Sequence, residues 1–233
     1  MTSSEKSKQM NAHHDRTGTG TASPQPMSLS DIEDAYAEYA DRMHRLEWLD
    51  RAVLGSYRQA RFGNVEGRVL DVACGTGTNF RYLPHTVDLV GIDISPEMLA
   101  NAEKRLSALE IEGSLRRMNA QELEFPDNSF DVVISALSTC TFPDPIAALR
   151  EMDRVCKPEG TIRLVEHGES DVRPIAKYQE WRADSHYAET GCRWTQEPSE
   201  VVSEAGLEVR DSTTGLFGTI STFEILPSRG EKR

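Results

Sequence analysis

The sequence is poor in several features that would place a protein in a class at once. Of 233 residues only four are cysteine, and only six of the 26 basic residues are lysine. Cys74, Cys140, Cys156 and Cys192 lie far apart and form no C-x-x-C pair. That argues against a disulfide framework, and the spacing supports no metal site. A reduced, cytoplasmic chain is the expectation. No apolar run approaches the about 18 residues that a membrane-spanning helix requires, so no transmembrane segment is expected. Positive charge is also short, with 26 Lys+Arg against 38 Asp+Glu and a net charge of -12. Phosphate backbones are bound by neutralising them with Lys and Arg, so a nucleic-acid partner is not expected. The excess acid reads as a solvated surface or as a surface adapted to high salt.

Residues 1–28 are rich in Ser, Thr, Gly, Pro and charge and contain no apolar h-region. They read as a disordered tail rather than a secretory signal, and His13 and His14 within them carry no metal reading. Residues 29–233 are enough for one domain of ordinary size.

Periodicity sets out the elements of that domain. Residues 30–57 carry Ile32, Tyr36, Tyr39, Met43, Leu46, Leu49 and Val53 at three- and four-residue spacing, the stripe of an amphipathic helix. Ser30 with Glu33 offers a capping-box start. Short apolar runs at 68–73, 88–92, 114–118, 130–135 and 160–166 read as strands. Ser95-Pro96-Glu97 opens a helix reaching about residue 109, and residues 145–155 form another. Strands alternating with helices imply parallel βαβ units in a doubly wound sheet. Residues 197–205 read as helix, and 207–212 with 219–226 as two strands of a hairpin, hence an antiparallel edge.

The chemistry begins where the first strand runs into Cys74-Gly75-Thr76-Gly77. Two glycines let a ligand approach the backbone, and a helix following them favours an anionic group there. The dinucleotide fingerprint needs a third Gly, and Phe80 stands in its place. Asp71, four residues before Gly75, would repel a pyrophosphate and attract an ammonium. Asp93, 18 residues after Gly75, can accept two ribose hydroxyls. The inferred ligand has a carboxylate, an ammonium and a ribose.

Val69-Leu70-Asp71-Val72-Ala73-Cys74-Gly75-Thr76-Gly77, Gly91-Ile92-Asp93-Ile94-Ser95, Phe130-Asp131-Val132-Val133 and Arg154-Val155-Cys156-Lys157-Pro158-Glu159-Gly160 together resemble the class I S-adenosylmethionine-dependent methyltransferases. The resemblance implies an α/β fold, a Rossmann-like, doubly wound seven-stranded sheet whose last strand is antiparallel. It implies S-adenosyl-L-methionine as cofactor, with Asp71, Gly75 and Gly77 at the methionine moiety and Asp93 at the ribose. Ile94 and Met98 would line the adenine, with Asn119, Ala120 and Gln121 at its edge. Ala73 and Ala136, at the ends of two strands, complete the cofactor set.

The cofactor supplies the activation, so the acceptor leaves little mark on the sequence. Acceptor-side elements are expected near 30–60, 136–145 and 167–198. Glu166-His167, His186 and Gly191-Cys192 are similar to short motifs of small thiol- and lipid-related and quinone-biosynthesis methyltransferases. His167 could act as a general base, or simply hydrogen-bond at a strand end. Tyr178, Trp181, Tyr187 and Trp194 could form an apolar wall, and Tyr36 and Tyr39 could close over the cofactor. The acceptor is expected to be a small, fairly apolar molecule such as a thiol or a quinol. The alternatives are a nicotinamide-dependent oxidoreductase and a non-catalytic cofactor-binding protein.

Overall fold

A computed structural model describes residues 27–228; of the expected tail at 1–28, residues 1–26 lie outside the described residues, while Met27 donates its amide to the Tyr187 hydroxyl and Ser28 caps the first helix. Seven strands form one sheet: β1 (Arg68–Val72), β2 (Asp88–Asp93), β3 (Gly113–Arg117), β4 (Phe130–Ala136), β5 (Cys156–His167), β6 (Glu208–Gly215) and β7 (Ile220–Leu226). Their order is β3-β2-β1-β4-β5-β7-β6. The first five are parallel, and β7 enters antiparallel between β5 and β6. The antiparallel hairpin is therefore as expected, with β6 rather than β7 at the edge. Helices α1 (Leu29–Phe62), α2 (Pro96–Leu109), α3 (Pro145–Val155), α4 (Arg173–Thr190) and α5 (Pro198–Glu204) complete the chain.

Successive strand residues point to opposite faces, so each central strand feeds two cores. Leu70, Val90 and Val133 pack with Leu149, Met152 and Val202 on one face. Val69, Leu89, Val132 and Ile134 pack with Leu54, Phe62 and Leu106 on the other. Continuous apolar runs such as Val132-Val133-Ile134 are explained by that double burial.

Several boundaries differ from the periodicity. Helix α1 starts earlier, capped by Ser28 in a capping box with Asp31 rather than by Ser30 with Glu33, and it runs on to Phe62. Strand β5 begins at Cys156, opposite Phe130 across a bulge. The glycine turn leads into no α-helix but into a three-residue 3-10 turn, Phe80–Tyr82. Leu83 precedes Pro84 and is extended (ψ 145°), because the proline ring disfavours helical backbone in the residue before it. Helix α4 was not anticipated, since its apolar residues follow no helical stripe.

Leu164 is fully buried on the α3 side of the sheet. Leu164→Ala should lower the unfolding free energy by about 2–5 kcal/mol. This would appear as a lower urea midpoint at unchanged slope, and a loss below about 1 kcal/mol would contradict this packing.

Candidate functional site

The C-terminal ends of the parallel strands open into one cavity of about 360 Å³. Ligands of open α/β sheets bind at this end, where the strand order reverses, here between β1 and β4. The backbone turns sharply there: Ala73 and Leu137, just past β1 and β4, both hold left-handed conformations (φ 53° and 55°), which non-glycine residues seldom adopt.

One half of the cavity is built on the glycine loop. Gly75 has φ 55° with open space where a side chain would stand, whereas a side chain at Gly77 (φ 76°) would strike the Phe80 ring. The Gly75 amide donates to Asp93 Oδ2 at 2.8 Å, and the Ser95 amide to Asp93 Oδ1 at 2.9 Å. One carboxylate thus ties the loop to the end of β2. Both oxygens keep further acceptor capacity. Burial raises the Asp93 carboxyl above its ordinary range, against the opposing pull of these amides.

Of the residues expected at the cofactor, Ala73, Gly75, Asp93, Ile94, Met98, Asn119, Ala120 and Ala136 all line the cavity. Asp71, Gly77 and Gln121 do not. Gln121 Oε1 instead accepts the Asp144 amide (2.7 Å) at the start of α3. Asn119 Oδ1 accepts the Gln121 amide (3.0 Å), leaving one lone pair free. Asp71 lies fully buried one layer behind, accepting both bonds from Asn79 Nδ2 at 3.0 and 3.2 Å. Asn79 lines the cavity, and its Oδ1 is buried with no hydrogen-bond partner among the described residues. The sequence reading missed Asn79; its place two residues past Gly77 was the available signal.

Helix α1 covers this half. Arg105 holds Glu47 in a bidentate pair (2.6 and 2.8 Å) and donates from Nε to the Thr76 carbonyl (3.0 Å). Arg81 also pairs with Glu47. Arg117 grips Glu33 at 2.7 and 2.8 Å. Tyr36 lines the cavity and hydrogen-bonds Thr141. The Tyr39 side chain lies outside the described residues.

The other half collects residues from distant segments. Glu166, fully buried at the end of β5, accepts the amides of Ser138 (3.1 Å) and Thr139 (3.3 Å). Burial raises its carboxyl to about 7 despite the neighbouring His167 and these bonds. It pins the loop after β4, which carries Cys140. His167 Nε2 stands 3.1 Å from Cys140 Sγ and 3.2 Å from Cys192 Sγ, and the two sulfurs are 3.3 Å apart. Burial opposes protonation of His167, but Cys192 and Glu166 outweigh it and raise its pKa. The hydrogen bond between the thiols pushes Cys140 up and pulls Cys192 down, with His167 and His186 adding to the latter. His186 and Thr190 of α4 also line this half.

The expected aromatic wall is not there. Trp181 is 75% and Tyr178 52% exposed, and both rings belong to a surface row with Trp194. None of Tyr178, Trp181, Tyr187 and Trp194 lines the cavity, whose apolar lining includes Leu29, Ile32, Met118, Leu137 and Phe142. Helix α4 turns His186 and Thr190 inward and so leaves the aromatic residues outside.

Comparison with known proteins agrees with this architecture. Residues 70–164 match the family model of a methyltransferase domain. A phosphatidylethanolamine N-methyltransferase of Cereibacter sphaeroides is 35% identical over 160 residues, covering 67% of this chain and 78% of that protein. A demethylmenaquinone methyltransferase of Lactiplantibacillus plantarum is 30% identical over 167 residues, covering 66% of this chain and 68% of that protein. The solved structure of a SAM-dependent methyltransferase from Thermotoga maritima has the same fold, with a TM-score of 0.67, 18% identity and coverage of 84% of this chain and all of that one. The chain belongs to the class I S-adenosylmethionine-dependent methyltransferases. It is a methyl-transferring enzyme with S-adenosylmethionine as cofactor, which sets aside the oxidoreductase and non-catalytic readings.

Burial is the main cause of the rise of the Asp71 carboxyl from 3.8 to about 7, opposed by Asn79 and Arg58. A folded pKa above the unfolded one stabilises fully below about pH 4, and that stabilisation is lost as pH rises to 7. Asp71→Asn removes the titration. Its unfolding free energy relative to wild type should therefore improve by about 2–4 kcal/mol between pH 4 and 8. Urea melts of the cofactor-free protein at both pH values test this; a constant difference overturns it.

Proposed function

We propose that the enzyme transfers the methyl group of S-adenosylmethionine to a small, fairly apolar acceptor carrying an acidic S–H or O–H. The glycine-loop half of the cavity takes the cofactor. Asp93 receives the ribose hydroxyls, and Ile94, Met98, Asn119 and Ala120 surround the adenine. Asn79 Oδ1, the buried acceptor without a partner, receives the methionine ammonium, while Asp71 behind it holds the amide in that orientation. Ala73 and Ala136 flank the cofactor, and Gly77 and Gln121 support the loops that form its site.

The acceptor then enters the half bounded by Ile32, Tyr36, Phe142 and the Cys140–His167–Cys192 group. The cavity lining carries this reading. Arg58 is the one arginine or lysine side chain among the described lining residues, and it is already paired with Asp50 at 2.5 Å. Among the described lining residues a phosphate group would meet only this paired arginine, whereas an apolar acceptor finds apolar walls. The reaction is an in-line displacement, so the protein's share is alignment and exclusion of water. A second reading, methylation of a phospholipid amine, is favoured by the similarity to the Cereibacter enzyme.

Labelled S-adenosylmethionine offered with thiols, phenols, quinols, amines and phosphatidylethanolamine vesicles separates the two. Transfer to thiols or phenols is expected, and transfer confined to the vesicles overturns the apolar-acceptor reading. Asp93→Ala and Asn79→Ala should each weaken cofactor binding in calorimetry by about 10- to 100-fold, the loss of one or two charge-assisted hydrogen bonds. Unchanged affinity in both would refute the assigned cofactor site.

A further inference from the structure

We propose that Cys140, His167 and Cys192 bind one zinc-class divalent cation at the acceptor end of the cavity, with the fourth coordination position left for a thiolate acceptor. The three potential ligand atoms form a nearly equilateral triangle with sides of 3.1, 3.2 and 3.3 Å. A triangle of two sulfurs and one imidazole nitrogen is one face of a tetrahedral site, and Cys₂His with one open position is an established set for catalytic zinc. Zinc–ligand lengths put such atoms about 3.6–3.8 Å apart, so a cation needs them to spread by roughly half an ångström. A simple Cys140–Cys192 disulfide would leave the equidistant imidazole unexplained.

The three side chains are held from three different elements. Glu166 fixes the Cys140 loop through the Ser138 and Thr139 amides. His167 ends β5, which is paired on both sides. Cys192 follows Gly191, the left-handed cap of α4, where the helix C-terminus favours positive charge. Arg193 then locks the Cys192 segment to the Cys140 loop. Its amide donates to the Cys140 carbonyl (3.0 Å), and its guanidinium donates to the Phe142 carbonyl (2.7 Å). Such prior fixing of ligands is what a tight metal site requires. His186 hydrogen-bonds Cys192 but stands outside the three-atom group, in the place of an outer-shell donor.

All three ligand residues face the cavity, so the fourth position faces the acceptor. This assignment rests on the methyl-transfer reading above and narrows its acceptor to a thiol. Coordination acidifies the acceptor thiol, whose proton is released to solvent. The thiolate sulfur then attacks the methyl carbon of the cofactor, forming a C–S bond. The sulfonium S–CH₃ bond breaks with its electron pair going to the cofactor sulfur, giving a methyl thioether and S-adenosylhomocysteine. Before the acceptor binds, the two protein thiolates and one divalent cation sum to zero charge, which suits a buried site.

Titration of the reduced, full-length protein with Co²⁺ tests the site without reference to activity. One equivalent should produce thiolate-to-cobalt charge-transfer and tetrahedral visible bands. Cys140→Ser and Cys192→Ser should each weaken Zn²⁺ competition for that site by at least about 100-fold, while still binding S-adenosylmethionine in calorimetry as evidence of folding. Cys156→Ser, altered in the sheet core, should keep the spectrum. Absence of thiolate bands in the reduced protein, or bands that persist in both Cys140 and Cys192 variants, overturns the metal site even if methyl transfer is intact. Addition of 2-mercaptoethanol should shift the cobalt bands; an unchanged spectrum overturns the open thiolate position, whatever the outcome of the acceptor panel.

Discussion

A buried acid at the end of β5 is the interaction on which the Cys140–His167–Cys192 half of the cavity depends. Glu166 has no exposure to solvent, and burying an acidic group is costly unless donors surround it. The donors here are backbone amides of Ser138 and Thr139, so satisfying the acid fixes the loop after β4. That loop delivers Cys140 to His167, the residue next to Glu166, and the Arg193 contacts bring Cys192 to the same place. One buried acid thereby organises three segments.

The glycine-loop half repeats the device. Asp93 takes amides from Gly75 and Ser95, and Asp71 takes both bonds of the Asn79 amide group. Each acid closes the end of a parallel strand by gathering the loop that follows or adjoins it. Of these three acids Asp93 lines the cavity, while Asp71 and Glu166 lie buried behind it with their carboxyls raised to about 7. Glu47 and Glu33 clamp α1 onto Arg105 and Arg117 and so hold that helix over the ends of the strands.

Much of the glycine-loop half of the cavity was legible because its signals are local. The strand–glycine–glycine turn, the acid at the end of the second strand and the Ser-Pro-Glu helix start each occupy a few consecutive residues. Their geometry follows from backbone rules alone. The role of Asp71 was read one step too directly: its side chain meets Asn79 rather than the open cavity, and only packing decides which polar layer faces a ligand. Helix α4 escaped the periodicity because it buries so little; its outer face leaves Trp181 and Tyr178 in solvent.

The sequence by itself determined the parallel sheet, its antiparallel hairpin, the nucleotide-type turn and the family of the enzyme, since these rest on spacings of two to four residues and on short motifs. The tertiary structure alone decided the thiol–imidazole end of the cavity. Cys140 and His167 are 27 residues apart and His167 and Cys192 are 25, with no spacing to link them. They meet because β4 and β5 are neighbours in the sheet and α4 returns across their ends, a consequence of sheet order and loop anchoring that no local pattern contains.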